Sequence, residues 1–248
     1  MTTAVQAWIA LVGAFVTAVV GLLKYFNYRS RRDRVALVGQ SFSETVDALS
    51  SKDEVKQLAA AILLRRFFDR KTEQGSAGAP YQQEAIRVIA AILRTTDAGQ
   101  FQKLLADSLA YAPTLQLADL QECNLAGAYL GRRPDRRVDL SHADLFNADL
   151  TGASLKGATA KETVFYGATL VKTVFEKADL TGADFRDADL KGANFEGAEL
   201  TRAKFDGAEL AGAQFSKATN VPPAILASLD GDQRVPTDAS EHHPGVRP

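Results

Sequence analysis

Ala148-Asp149-Leu150-Thr151-Gly152 and Ala183-Asp184-Phe185-Arg186-Asp187 are two copies of a five-residue unit that repeats from residue 113 to residue 220. Taking the central residue of each unit from Leu115 onward gives 22 positions, of which 19 are Leu or Phe. Asp135, Ala160 and Asn220 are the departures. The residue two before the centre is Ala in 16 of the 22. Neither a helix nor a strand has a period of five. A fixed short period describes a solenoid, in which each unit buries its large side chain only by stacking on its neighbours.

The Ala-Asp-Leu-x-x pattern resembles the pentapeptide-repeat family, over 113–220 and with no break in the spacing. The resemblance implies a mainly β solenoid, a right-handed quadrilateral β-helix in which each pentad forms one side and four make a turn. The central residue and the small residue two before it then point inward, and the other three point out. One large and one small side chain per side suit a narrow core at native packing density. The position two after the centre is often Gly, as at Gly152, Gly182 and Gly207, which suits a tight corner. Coils should lie roughly 4.8 Å apart, so about five and a half of them form a rod on the order of 25 Å long. A twenty-residue turn stacks Phe165, Phe185 and Phe205 on one face and Phe175, Phe195 and Phe215 on the opposite one. It also predicts a ladder of Leu130, Leu150, Leu170, Leu190 and Leu210, and another of Leu120, Leu140, Leu180 and Leu200 with Ala160 as a gap.

The rest of the chain is of another kind. Residues 4–23 carry no charge, and about 20 apolar residues are enough to cross a bilayer as a helix. Trp8 lies near one end and Tyr25 and Tyr28 near the other, as interfacial anchors do. Lys24, Arg29, Arg31, Arg32 and Arg34 follow, in a basic juxtamembrane segment, 24–34. That bias places the C-terminal side in the cytoplasm. The expectation is an N-terminal transmembrane helix, single-pass in a bacterial inner membrane, with most of the chain cytoplasmic. A cleaved signal peptide needs a basic start, a shorter apolar core and a small-residue cleavage site, none of which is clear; a buried soluble helix is the other reading. Gly13, Thr17 and Gly21 recur every four residues, a spacing that lets such helices approach and self-associate.

Residues 35–112 read as a small all-α segment of amphipathic helices, either a bundle or a HEAT-like pair. Val35, Val38, Phe42, Val46 and Leu49 form one stripe. Ser51-Lys52-Asp53-Glu54 has the form of a capping box and opens a second helix. Lys71 to Pro80 is a Gly- and Pro-containing loop. Ile86, Ile89 and Leu93 mark a third helix, and Phe101, Leu105 and Leu109 a fourth that starts near Asp97. This segment is placed to cover the first coil, whose edge would otherwise be unpaired. At the far end Pro222 and Pro223 stop the ladder, 221–229 form a cap, and 230–248 read as a disordered tail.

Charge is balanced, with 29 basic and 30 acidic residues, which excludes the basic footprint of a nucleic-acid binder. The single cysteine, Cys123, permits neither an internal disulfide nor a cysteine zinc site and occupies a small inward position. No phosphate loop, nucleophile elbow or metalloprotease motif is present, so no catalytic, cofactor or metal residue is assigned and the chain reads as a non-enzyme. His142 falls at an outward corner. Asp119, Asp139, Asp144, Asp149, Asp179, Asp184 and Asp189 lie one before a centre, where a short carboxylate can bond the local backbone.

One stretch departs from the pattern: Gly131-Arg132-Arg133-Pro134-Asp135-Arg136-Arg137. Neither Asp135 nor Arg133 suits an inward position in a dry core. The expectation is an outward bulge displaying Arg132, Arg133, Arg136 and Arg137, either as a solvated loop or as a patch for an acidic protein or anionic lipid. The functional expectation is a membrane-anchored scaffold for an unidentified protein partner. The resemblance also implies an alternative, because some members mimic duplex DNA, bind type II topoisomerases and give quinolone protection. With 16 acidic and 13 basic residues in 113–220, this rod lacks the dense negative charge such mimicry needs.

Overall fold

A computed structural model describes residues 33–69 and 79–228, together with Val20, Lys24 and Arg29. The apolar segment 4–23 apart from Val20, with its Gly13, Thr17 and Gly21, lies outside the described residues. So do most of 24–32, the loop 70–78 and the tail 229–248. Among the described residues no helix is long and apolar enough to cross a membrane.

Among the described residues four helices precede the solenoid. Helix α1 (33–49) buries Val38, Thr45 and Leu49. Helix α2 (Glu54–Leu64) starts at Asp53, whose carboxylate accepts the Val55 and Lys56 amides. The cap is thus Asp53 rather than Ser51, which instead accepts the Asp53 amide through its hydroxyl. A carboxylate aimed at two orphan N–H groups is the stronger arrangement. Helix α2 runs into a 3₁₀ turn, Arg65–Phe67. Helices α3 (Ala79–Leu93) and α4 (Gln100–Leu109) complete the set, α4 beginning three residues later than Asp97. Leu64, Phe67, Ile89, Leu93, Leu105 and Leu109 form the shared core, all 1% exposed or less. Phe42 on α1 stacks on Tyr81 and meets Phe67 edge-on, both at 5.2 Å.

From Val138 the chain winds in regular four-sided coils. Parallel bridges join each residue before a centre to its equivalent twenty residues on, from Asp139↔Thr159 to Glu199↔Thr219. Every residue two after a centre between His142 and Lys217 has a positive φ, from 52° to 75°. Glycine adopts this left-handed corner freely; a side chain such as that of Glu162 or Lys172 does so at roughly 1–2 kcal/mol. The coil repeats it because each corner is held by ladder hydrogen bonds on both sides. All the inward Phe residues from Phe165 to Phe215 are 7% exposed or less. Phe165 stacks on Phe185 at 4.9 Å and Phe175 on Phe195 at 5.0 Å, while Phe165 meets Phe175 edge-on at 5.8 Å across the core. Each such pair adds roughly 0.5–1.5 kcal/mol beyond area burial. Thr163 and Thr173, in small inward positions, donate their hydroxyls to the Leu140 and Leu150 carbonyls, so neither of these buried hydroxyls is left unpaired.

The first coil corrects the expected register. Its bridges span twenty-five residues: Asp119↔Asp144, Asn124↔Asp149 and Tyr129↔Ser154. The unit centred on Asp135 therefore occupies no side of a coil. It leaves the ladder entirely, because neither Asp135 nor Arg133 can enter a dry core. Leu130 lies below Leu155 and not in the ladder of Leu150; Leu120 lies below Leu145 and not in that of Leu140. Five coils result, with centres at 115–130, 140–155, 160–175, 180–195 and 200–215. The two Phe ladders keep their predicted opposite faces. Helix α5 (Pro223–Ser228) closes the last coil with Ile225, and Val221 packs beside it.

Candidate interaction surface of the rod and the arginine loop

A solenoid's first coil has no predecessor to satisfy its backbone, and here the helices supply what is missing. The Asn124 amide donates to the Leu93 carbonyl at the end of α3, at 3.0 Å. The Tyr129 amide donates to the Asp107 carboxylate on α4, at 2.7 Å. Arg94 donates to the Gln121 carbonyl and pairs with the Asp119 carboxylate at 2.7 Å. Gln102, only 2% exposed, reaches the Asn124 carbonyl at 2.8 Å, and Lys103 reaches that of Gly127. Three side chains thus stand in for the N–H groups of an absent coil, and the edge is covered. Cys123 fills its small inward position with the thiol donating to the Ala90 carbonyl at 3.4 Å. Burial pushes that thiol up to about 11, so it is inert.

The arginine loop leaves the coil at Gly131, where a Cβ would lie 2.7 Å from the Lys156 carbonyl oxygen; only glycine passes here. The loop does not display four equivalent guanidinium groups. Arg136 turns back onto the end of α4 and donates to the Ala110 and Tyr111 carbonyls. Arg133 lies over the Tyr111 ring at 3.9 Å, with Arg65 over the same ring at 4.7 Å. Arg132 and Arg137 are exposed. Two of the four arginines therefore join loop to helices, and two face solvent. Residue counting cannot make this division, because the partners are the terminal carbonyls of a helix and one Tyr between helix and coil.

The outward positions of the regular coils carry a second feature. Phe146, Tyr166 and Arg186 occupy equivalent positions in three successive coils, all half-buried. Phe146 stacks on Tyr166 at 5.8 Å, and the Arg186 guanidinium lies 5.5 Å from the Tyr166 ring centre. Arg186 is anchored by Asp184 at 2.7 Å. Its guanidinium, which donates to that carboxylate, is the main cause that holds Asp184 below the ordinary carboxylate range. The same face holds Asp119, Glu122, Asp144, Asp187 and Asp206, with Lys204 as the other cation. The two aromatic residues follow no five-residue rule; the twenty-residue turn is the signal that pairs them.

All seven Asp residues that precede a centre accept the backbone amide two residues on, at 2.8–3.3 Å. These are turn-forming contacts, the local bonding the sequence predicts. His142 sits at an exposed corner, 3.4 Å from Glu162 of the next coil. Among the described residues no group of three or more His, Cys, Asp or Glu is placed to hold a metal ion.

Residues 138–215 match the model of the pentapeptide repeat region family. No curated protein sequence matches the chain. Among solved structures, it is similar to HetL, a pentapeptide repeat protein involved in heterocyst differentiation regulation from the cyanobacterium Nostoc sp. strain PCC 7120. Identity is 32%, over 41% of this chain and 53% of that one, with a TM-score of 0.28; the likeness spans about half of HetL's length. A pentapeptide repeat protein of the Arabidopsis thaliana thylakoid lumen is 29% identical over 47% of this chain and 73% of its own, with a TM-score of 0.28. Rfr23, from the cyanobacterium Cyanothece 51142, is 26% identical over 41% of this chain and 88% of its own, with a TM-score of 0.22. With its five-residue unit, its four-sided coils and this family match, the stretch 138–215 is a pentapeptide repeat region.

Proposed function

We propose that the protein is a non-enzymatic scaffold, held at the inner face of a bacterial membrane by residues 4–23, whose rod binds a protein partner. The observation that carries this reading is the strip of Phe146, Tyr166 and Arg186, half-exposed on one face of a rigid rod. Aromatic residues and Arg are enriched where proteins meet. A rod of backbone-paired coils holds them in place without ordering cost on binding. The uncharged run 4–23 with its basic flank supports the tether.

Cross-linking and capture from membranes test this directly. Wild-type protein should recover a defined partner, and the double substitution of Phe146 and Tyr166 to Ala should lose it while the rod still unfolds cooperatively. Equal recovery by both proteins removes the strip from consideration. The tether is tested by fractionation: the full chain should stay with membranes in carbonate and high salt, whereas release by either rules out a spanning helix.

A second reading, DNA mimicry directed at a type II topoisomerase, draws on the acidic residues that flank the strip. The rod as a whole holds 16 acidic against 13 basic residues in 113–220, too even a balance to imitate a phosphate backbone. No protection of gyrase from a quinolone is expected in a supercoiling assay. Rescue at near-stoichiometric protein would favour this second reading over the first.

A further inference from the structure

Between the arginine loop and the helices lies a cavity of about 550 Å³, lined by Phe68, Asp69, Tyr111, Pro113, Arg133, Asp135 and Arg136. Its size falls within the roughly 300–1,000 Å³ of small-molecule sites, and its place between two structural units is where such sites recur. Three segments remote in sequence meet there: the turn after the 3₁₀ helix, the chain leaving α4, and the pentad expelled from the coil.

The guanidinium groups around this cavity differ in how they are used. Arg65 donates to the Ser108 hydroxyl at 3.0 Å and the Leu104 carbonyl at 3.2 Å. Arg136 donates to the carbonyls at the end of α4. Both hold the walls together. Arg133 lies over Tyr111, and its nearest carboxylate, Asp135, is 3.9 Å away, much longer than the 2.7 Å of Arg186 and Asp184. Its side chain is 24% exposed, while that of Asp135 is 73% exposed and screened by water. The Tyr111 phenol is lowered, chiefly by the neighbouring Arg133 guanidinium and further by the charge of Arg65, against the effect of burial. In the lining Arg133 and Arg136 stand against Asp69 and Asp135, and Arg65, over the Tyr111 ring, supplies the excess positive charge at the floor.

We propose that this cavity binds a phosphate-type oxyanion, gripped by the Arg133 guanidinium with Tyr111 beside it. The planar fork of Arg matches two oxygens of one phosphate and gives charge-assisted hydrogen bonds. Phe68, Tyr111 and Pro113 provide an apolar wall, and the volume exceeds that of a bare ion, which leaves room for the group that carries the phosphate. A lipid headgroup and free phosphate share this chemistry.

The test uses the full chain in a non-ionic detergent, with two probes at constant ionic strength: inorganic phosphate and a short-chain, water-soluble phosphatidic acid. Binding is followed by calorimetry and by the shift in melting temperature. Both probes should bind, the lipid more tightly if the headgroup is the source and no more tightly if free phosphate is. Arg133→Gln should weaken binding at least about tenfold, and the exposed corner variant Arg202→Gln should not change it. Asp135→Asn, which removes an opposing carboxylate and leaves Arg133 in place, should tighten it; that arm stands even if Arg133→Gln melts early. Binding of neither probe, or binding that Arg133→Gln and Asp135→Asn leave unchanged, overturns the proposal. Neither probe is a protein, so failure here leaves the scaffold reading standing.

Discussion

Residues 138–215 and residues 113–137 are written in the same five-residue unit, but they are held by different means. In 138–215 each coil is bonded above and below by its own kind, and the family model matches over those residues. In 113–130 one edge is bonded to the next coil and the other to helices, through Arg94, Gln102, Lys103 and Asp107. The first region is stable through repetition of one contact. The second depends on individual side chains, each used once. Damage should therefore be cooperative in the first region and local in the second.

The largest expected effect tests the repeated core. Phe185→Ala removes a fully buried ring that stacks on Phe165 and Phe205. It should cost about 3–5 kcal/mol in urea unfolding, whereas Ala211→Asp at an exposed outward position should stay within about 0.5 kcal/mol. Similar losses for both would break the inward and outward assignment.

The joint between the regions comes next. Arg136→Ala leaves carbonyls at the end of α4 without their donor, at a cost of about 1–3 kcal/mol. Arg137→Ala, exposed one residue on, should change the melting temperature little. Hydrogen exchange should place the Arg136→Ala effect in the first coil and α4, not in the coils after Val138. Faster exchange spread evenly along the rod would deny that the two regions are held separately.

Acid should loosen the opposite end. Burial acts to raise Glu199, but hydrogen bonds from Thr201, Asn220 and Thr219 outweigh it and bring the carboxyl down to about 2. A folded-state value below the unfolded one adds stability above the ordinary value of 4.5, and that stability is lost as pH falls from there toward 2. The melting temperature of wild type should therefore fall more steeply over this window than that of Glu199→Gln. Parallel curves would remove Glu199 as a last-coil clamp.

The smallest effect concerns Cys123. Its thiol, pushed up to about 11, should resist alkylation near neutral pH and react only as fast as the helices part from the first coil. Prompt labelling of the folded protein would show that the cap opens readily.

What the sequence discloses follows the same division. The inward Leu and Phe, the Asp turns and the left-handed corners are repeated many times, so one rule read from 113–220 covers them all. The opposed Phe ladders follow from it because Phe165 to Phe215 all lie after the irregular loop. The fate of Asp135 does not follow. Its spacing from Leu130 and Leu140 is regular, and only the cost of placing it and Arg133 in a dry core separates a bulged side from an expelled one. Arg136 and Tyr111 are less legible still, since their contact joins a helix end to a loop 25 residues away. The Phe146 and Tyr166 pair follows from the same twenty-residue turn, but it stands at outward positions where no residue type repeats, so the five-residue rule does not draw it out.

Expelling the pentad preserves the phase of everything after it. Had five residues been added to the wall of a four-sided coil, the spacing of Leu and Phe would be unchanged, but every later side would be rotated by a quarter-turn about the rod axis. Phe146, Tyr166 and Arg186 would then look in a different direction from the helices below. Because Gly131 lets the chain leave beside Lys156, and Val138 resumes on the side where the next coil is due, the insertion does not alter orientation. Excising residues 132–136 and inserting a pentad into the wall both leave the five-residue spacing intact. Only the second would turn the rod's aromatic face away from where it now points.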